Sequence, residues 1–148
     1  MKKLALMFAV IGVIGISFGY KVIADEKENE LVRVPLEKYL KGHATGDPEM
    51  IRQAFHKDAR INAYRDGNLL NLSAEEFAGR FNGKAAPDES KRKRSIDLVE
   101  INGNAAIARI TLDYPTVKFT DYMSLLKING EWKIINKTFY ADSKTAAK

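Results

Sequence analysis

The residues with the most chemical potential in this chain are few: two histidines, His43 and His56, the phenols Tyr39 and Tyr122, the hydroxyl of Ser124, and aspartates at 47, 58 and 121. Either histidine could serve as a general base near neutral pH if a carboxylate oriented it, and Asp47, Asp58 and Asp121 are available for that by sequence. Asp121 stands in an apolar run with Phe119, Met123 and Leu125, where a charge is costly unless paired. Lys127 shares its alternation and Lys137 approaches through the last hairpin, so an ion pair is the expected role for Asp121. His56 falls where a helix should end and is expected to cap free carbonyls. No zinc or calcium ligand spacing occurs and no glycine-rich phosphate loop follows a strand, so no metal or nucleotide cofactor is expected. With no cysteine, thiol catalysis and disulfides are excluded.

These residues need elements to hold them. Val32, Leu36, Tyr39, Leu40 and His43 recur at helical spacing and set Tyr39 and His43 one turn apart on one face. Thr45-Gly46-Asp47-Pro48 ends that helix and starts another carrying Met50, Ile51, Ala54 and Phe55, which should close near His56-Lys57-Asp58. A strand over 59–64, a turn at Asp66-Gly67-Asn68 and a return strand over 69–72 follow. Ser73 and Glu76 form a capping box for a third helix through Phe77 and Phe81. Strands are then expected over 95–101, 105–114, 118–128 and 131–140, with glycine-containing turns at Asn102-Gly103 and Asn129-Gly130. Helices followed by an antiparallel meander give an α+β fold, in which a curved, mostly antiparallel sheet packs on N-terminal helices.

The start of the chain has a different purpose. Met1-Lys2-Lys3, an uncharged stretch from Leu4 to Tyr20, and Val22 and Ala24 before an acidic run make residues 1–24 a signal peptide, cleaved after Ala24 or else retained as an anchor. Lys2, Lys3 and Lys21 leave with it and no acidic residue does, so the net charge of +5 falls to +2. That weakens a nucleic-acid reading and leaves an exported, periplasmic or secreted protein. The remainder divides into a flexible lead-in at 25–30, one domain at 31–140 and a disordered tail at 141–148. The basic run Lys91 to Arg94 reads as a solvated strand entrance, with contact to anionic lipid as the alternative.

Tyr39-Leu40-Lys41-Gly42, Gly46-Asp47, Ala54-Phe55-His56-Lys57-Asp58-Ala59 and the run from Phe119 to Ile134 resemble the nuclear-transport-factor-two-like superfamily, and within it the putative lumazine-binding group of bacterial proteins. The resemblance implies a cone in which the sheet wraps around the first helix, with a pocket inside. Counting along ketosteroid isomerase, an enzyme on this scaffold, places its tyrosine on Tyr39, its aspartate base on Ala63 and its oxyanion acid on Ser124. A methyl group carries no proton, so that reaction is not expected here. The same counting makes Tyr39, His43, Ile61, Ala63, Tyr122 and Ser124 the expected pocket lining, suited to a small aromatic or heteroaromatic molecule. The first functional reading is a non-catalytic binder. A lyase, isomerase or hydrolase using His43 or His56 with Tyr39 is the alternative, and a protein-interaction module with a filled cone is the third. Leu125 with Leu126, and Ile134 with Ile135, make the last strands apolar on both faces, so a sheet-to-sheet homodimer is expected.

Overall fold

The computed structural model describes residues 26–144. The expected signal segment and its cut after Ala24 lie outside the described residues. The chain falls into two compact units, residues 1–31 and 32–148. In the first, residues 26–31 are helical. The expected lead-in at 25–30 is therefore helix from 26 onward: Glu and Lys are good helix formers, and solvent exposure suits them.

In the second unit the helix α1 (residues 32–45) buries Val32, Leu36 and Tyr39, as its spacing requires. Gly46 ends it at φ +72°, and the Asp47 side chain accepts a hydrogen bond from the Glu49 N–H to start α2 (Pro48–Ala54). Gly46 also contacts the later chain: its carbonyl accepts from the Gly83 N–H at 2.8 Å.

Six strands form one sheet in the order β2-β1-β6-β5-β4-β3, with β1 (Phe55–Arg65), β2 (Asn68–Ser73), β3 (Lys93–Asn102), β4 (Ala105–Asp113), β5 (Val117–Ile128) and β6 (Glu131–Ser143). All neighbours are antiparallel except β1 and β6. Asp66-Gly67 and Asn129-Gly130 turn with positive φ at both residues, the geometry that matches strand twist. Three boundaries differ from the expected ones by three residues or more. β1 begins at Phe55 directly after α2, because Phe55 is already extended and pairs with Ile134. The third helix, α3 (Ala74–Ala78), has its Ser73–Glu76 capping box but ends before Phe81, where a turn takes over. Residues 141–143 belong to β6 and pair with Val117 to Phe119, so the expected tail is strand up to Ser143: the start of β5 needs a partner for its backbone groups.

The inner face of the sheet follows strict alternation along β4 (Ala106, Ala108, Ile110, Leu112) and β5 (Asp121, Met123, Leu125). On β6 it does not. Trp132 and Ile134 are buried, then the register with β5 shifts so that Leu125 faces Ile134 while Ser124 faces Asn136. Ile135 is the extra residue of a β-bulge, and beyond it Lys137 replaces an even-numbered neighbour on the buried face.

Candidate functional site

Three elements meet at one buried polar cluster. α1 supplies Tyr39, β5 supplies Asp121 and the bulged part of β6 supplies Lys137; all three are at most 3 % exposed. The Tyr39 hydroxyl donates to Asp121 Oδ2 at 2.6 Å, and Lys137 Nζ donates to the Tyr39 oxygen at 2.8 Å. Asp121 Oδ1 lies 3.2 Å from Nζ but makes no well-aligned hydrogen bond. The ammonium also faces three rings, 5.2 Å from Tyr39, 5.0 Å from Phe77 and 4.5 Å from Phe139. Burial lowers the Lys137 pKa against the opposing pull of Asp121. Burial, then the Asp121 charge, raises that of Tyr39 well above the ordinary phenol range, so Tyr39 remains a proton donor.

His43, one turn beyond Tyr39, packs edge-on to it at 4.6 Å between ring centroids and to Phe81 at 4.9 Å. Its Nδ1 lies 3.2 Å from the Tyr114 hydroxyl. That hydroxyl accepts from Arg94 Nε at 3.3 Å, which leaves its own proton for Nδ1. In the tautomer that accepts this proton at Nδ1, the imidazole proton sits on Nε2, and Nε2 is buried without a partner inside an aromatic wall. Burial first, and the charges of Lys137, Arg94 and Arg92 next, push the His43 pKa well below the usual histidine value, so the ring is neutral.

A pH dependence follows. The unfolded chain protonates His43 below about pH 6.5, whereas the folded one resists down to its depressed pKa. Folding stability contributed by this residue is constant above about pH 7 and is lost as pH falls below about 6.5, by up to ~1.4 kcal/mol per pH unit until the folded pKa is reached. Denaturant titrations of the wild type and His43→Phe at several pH values should show this slope in the wild type alone.

Of the expected lining residues, Tyr39, His43, Ile61 and Ala63 face the interior. Ala63 presents a buried methyl where an isomerase base would stand. Tyr122 and Ser124 do not join them: Tyr122 is 55 % exposed, and both line a shallow recess on the outer face of the sheet with Leu98, Ile107 and Asn136. Their turning inward would drive Met123 and Leu125 into water, and burial decides the face. The inner position beside Tyr39 belongs to Asp121, whose expected pairing with Lys137 is present. His56 caps no helix. It is the second residue of β1, accepts from the Asp58 N–H through Nδ1 at 3.3 Å, and lies in a separate surface recess with Arg52 and Glu75.

Phe77, Tyr114 and Arg94 are site residues that the spacing did not single out, and Lys137 was expected only as the ion-pair partner of Asp121. Arg94 is 9 % exposed in its side chain, binds Glu89, and donates to the His43 carbonyl at 3.3 Å. Arg92 pairs with Asp88 at 2.8 Å and stacks 4.3 Å over Tyr114. Half of the Lys91–Arg94 run is thus committed to closing this end of the domain. Among the described residues, no group of three or more acidic or histidine side chains is placed to hold a metal ion, and no helix is long and apolar enough to cross a membrane.

Helices packed on a curved, mostly antiparallel six-stranded sheet place the fold in the NTF2-like class. The structure superposes on an NTF2-like protein of unknown function from Shewanella baltica with a TM-score of 0.71 and 28 % identity, covering 78 % of this chain and 94 % of that one. A counterpart from Methylobacillus flagellatus gives 0.69 and 28 %, covering 78 % and 93 %. Residues 27–140 match the family described as putative lumazine-binding, and the chain belongs to that family. It is also similar to a curated aldolase, FrzH of a Cladobotryum species, at 25 % identity over 105 residues, 70 % of this chain and 82 % of that protein.

Proposed function

We propose that the mature chain is an exported protein that binds a small, flat, heteroaromatic or aromatic molecule inside the cone, against Tyr39, His43 and Lys137. The observation that carries this is His43 Nε2, a polar atom buried without a partner next to the Tyr39–Asp121–Lys137 cluster. A fold built only for stability gains nothing from an unmatched buried donor, which costs roughly 1–3 kcal/mol. A ligand oxygen or ring nitrogen there would recover it, and the Phe77 and Phe81 rings around it suit a planar partner. Membership of a family described as lumazine-binding agrees with that chemistry. Export rests on the charged, apolar and small-residue pattern of residues 1–24.

Exposed Ile107 and Tyr122, with Leu98 at the edge of the same recess, support a second copy on the outer face of the sheet. A catalytic reading has one observation in its favour. A buried lysine of lowered pKa, hydrogen-bonded to a tyrosine, is chemistry a carbon–carbon lyase can use, and one relative is named an aldolase.

Native mass spectrometry of the secreted chain reads these points together. The expected result is a dimer starting at Asp25 and carrying one small molecule per subunit. A monomer starting at Met1, with no ligand retained and none taken up from a set of flat heteroaromatics, would overturn the proposal.

A further inference from the structure

The environment of Lys137 differs from that of a lysine kept only to balance a carboxylate. Its ammonium touches a phenol that itself donates to the carboxylate, so Nζ, the Tyr39 oxygen and Asp121 Oδ2 form a continuous chain with separations of 2.8 and 2.6 Å. A proton can leave Nζ along that chain: the Tyr39 oxygen takes it while the phenolic proton moves to Oδ2. His43 Nε2–H, the unmatched donor on the neighbouring turn, has the polarity to hold a carbonyl oxygen. A nucleophile, a proton relay and an oxygen-binding donor therefore surround one ring, that of Tyr39. Phe77 of α3 and Phe81 in the turn after it cover them, packing on Tyr39 and His43 respectively.

We infer that Lys137 captures an aldehyde or ketone as an imine, which makes carbonyl compounds the ligand class of the interior site. This rests on the reading of that interior as a ligand site. Deprotonated Nζ attacks the carbonyl carbon, forming the C–N bond as the π pair moves to oxygen beside His43. One of the nitrogen's protons passes to that oxygen and gives a carbinolamine. The acid form of Asp121, through Tyr39, then protonates the hydroxyl, the C–O bond breaks with loss of water, and the nitrogen lone pair closes the C=N bond. Carbonyl plus ammonium gives protonated imine plus water, with Asp121 ionised again at the end and no oxidant or reductant consumed. Burial lowers the lysine pKa, which makes the neutral amine easier to reach at Nζ than at an exposed lysine.

The test uses the full mature chain with benzaldehyde and cyanoborohydride at neutral pH, followed by peptide mapping. Lys137 should be alkylated faster than the exposed Lys57, because a lowered pKa raises the neutral fraction of the amine. Tyr39→Phe, which keeps the amine and the ring but breaks the relay, should slow labelling at Lys137 and leave Lys57 unchanged. Lys137→Arg should abolish the selective adduct; if that variant does not fold, the Tyr39→Phe comparison decides alone. Benzyl alcohol, the same ring without a carbonyl, separates the two ideas through the NMR signal of the His43 imidazole. If benzyl alcohol shifts that signal but Lys137 labels no faster than Lys57, the imine inference is wrong and the ligand site stands. If neither compound engages the interior, both are wrong.

Discussion

Replacing Asp121 with leucine is expected to destabilise the domain by about 3–5 kcal/mol, and replacing Lys137 with methionine by a similar amount, because each leaves a charge in the core without its counterion. Against a total stability of about 5–15 kcal/mol, either change is severe. Part of the cost is relieved by ionisation: Lys137 already has a lowered pKa, and without Asp121 it should lose its proton more readily still. The double variant Asp121→Leu/Lys137→Met should behave differently. It removes both charges but leaves the buried Tyr39 hydroxyl without either partner, a cost of about 1–3 kcal/mol, so it should fall within roughly 3 kcal/mol of the wild type and well short of the summed losses of the singles. Urea titrations of the four proteins measure this as a double-mutant cycle. A stable double variant that no longer binds ligand would show that the pair is retained for the site and not for the fold. A double variant as unstable as the singles would make the pair structural.

Gly46→Val is the second large effect. At φ +72° a side chain costs roughly 1–2 kcal/mol, and the added Cβ would stand 2.0 Å from the Lys84 carbonyl oxygen, a backbone atom that cannot rotate away. The Gly83 N–H bond to the Gly46 carbonyl would have to break for the two segments to part. The combined loss is expected at about 3 kcal/mol or more. Because that contact holds the chain beyond α3 against the end of α1, where His43 sits, weaker ligand binding should accompany it. Gly67→Val is the control. Its φ is +78° but nothing lies within 4 Å of the added Cβ, so only the backbone strain should appear in thermal unfolding.

Much of this architecture is legible in the residues. The apolar spacing of α1 fixes its buried face, the Asp-Gly and Asn-Gly turns fix two hairpins, and Ser73 with Glu76 starts α3 as written. The site is less legible, for two physical reasons. Position relative to a turn is a poor guide to which face a strand residue takes. Counting from Asn129-Gly130 selected Ser124, whereas the apolar alternation Met123 and Leu125 puts Asp121 on the inner face. The bulge at Ile135 is the second reason. Unbroken alternation from Trp132 and Ile134 would bury Asn136 and Thr138 and expose Lys137; one extra residue exchanges them, and nothing in the Ile134-Ile135-Asn136 sequence announces it. The need of Asp121 for a partner was the one signal that pointed to Lys137, since a carboxylate among Phe119, Met123 and Leu125 requires a cation nearby.

The interior ligand site is tested most directly at the unmatched donor itself. In an NMR titration of histidine-labelled mature chain with lumazine and with benzyl alcohol, the His43 Nε2 resonance should shift saturably with at least one of them while His56, in its separate recess, stays unchanged. A His43 signal that does not move with either compound, or one that moves only together with His56, would contradict the account.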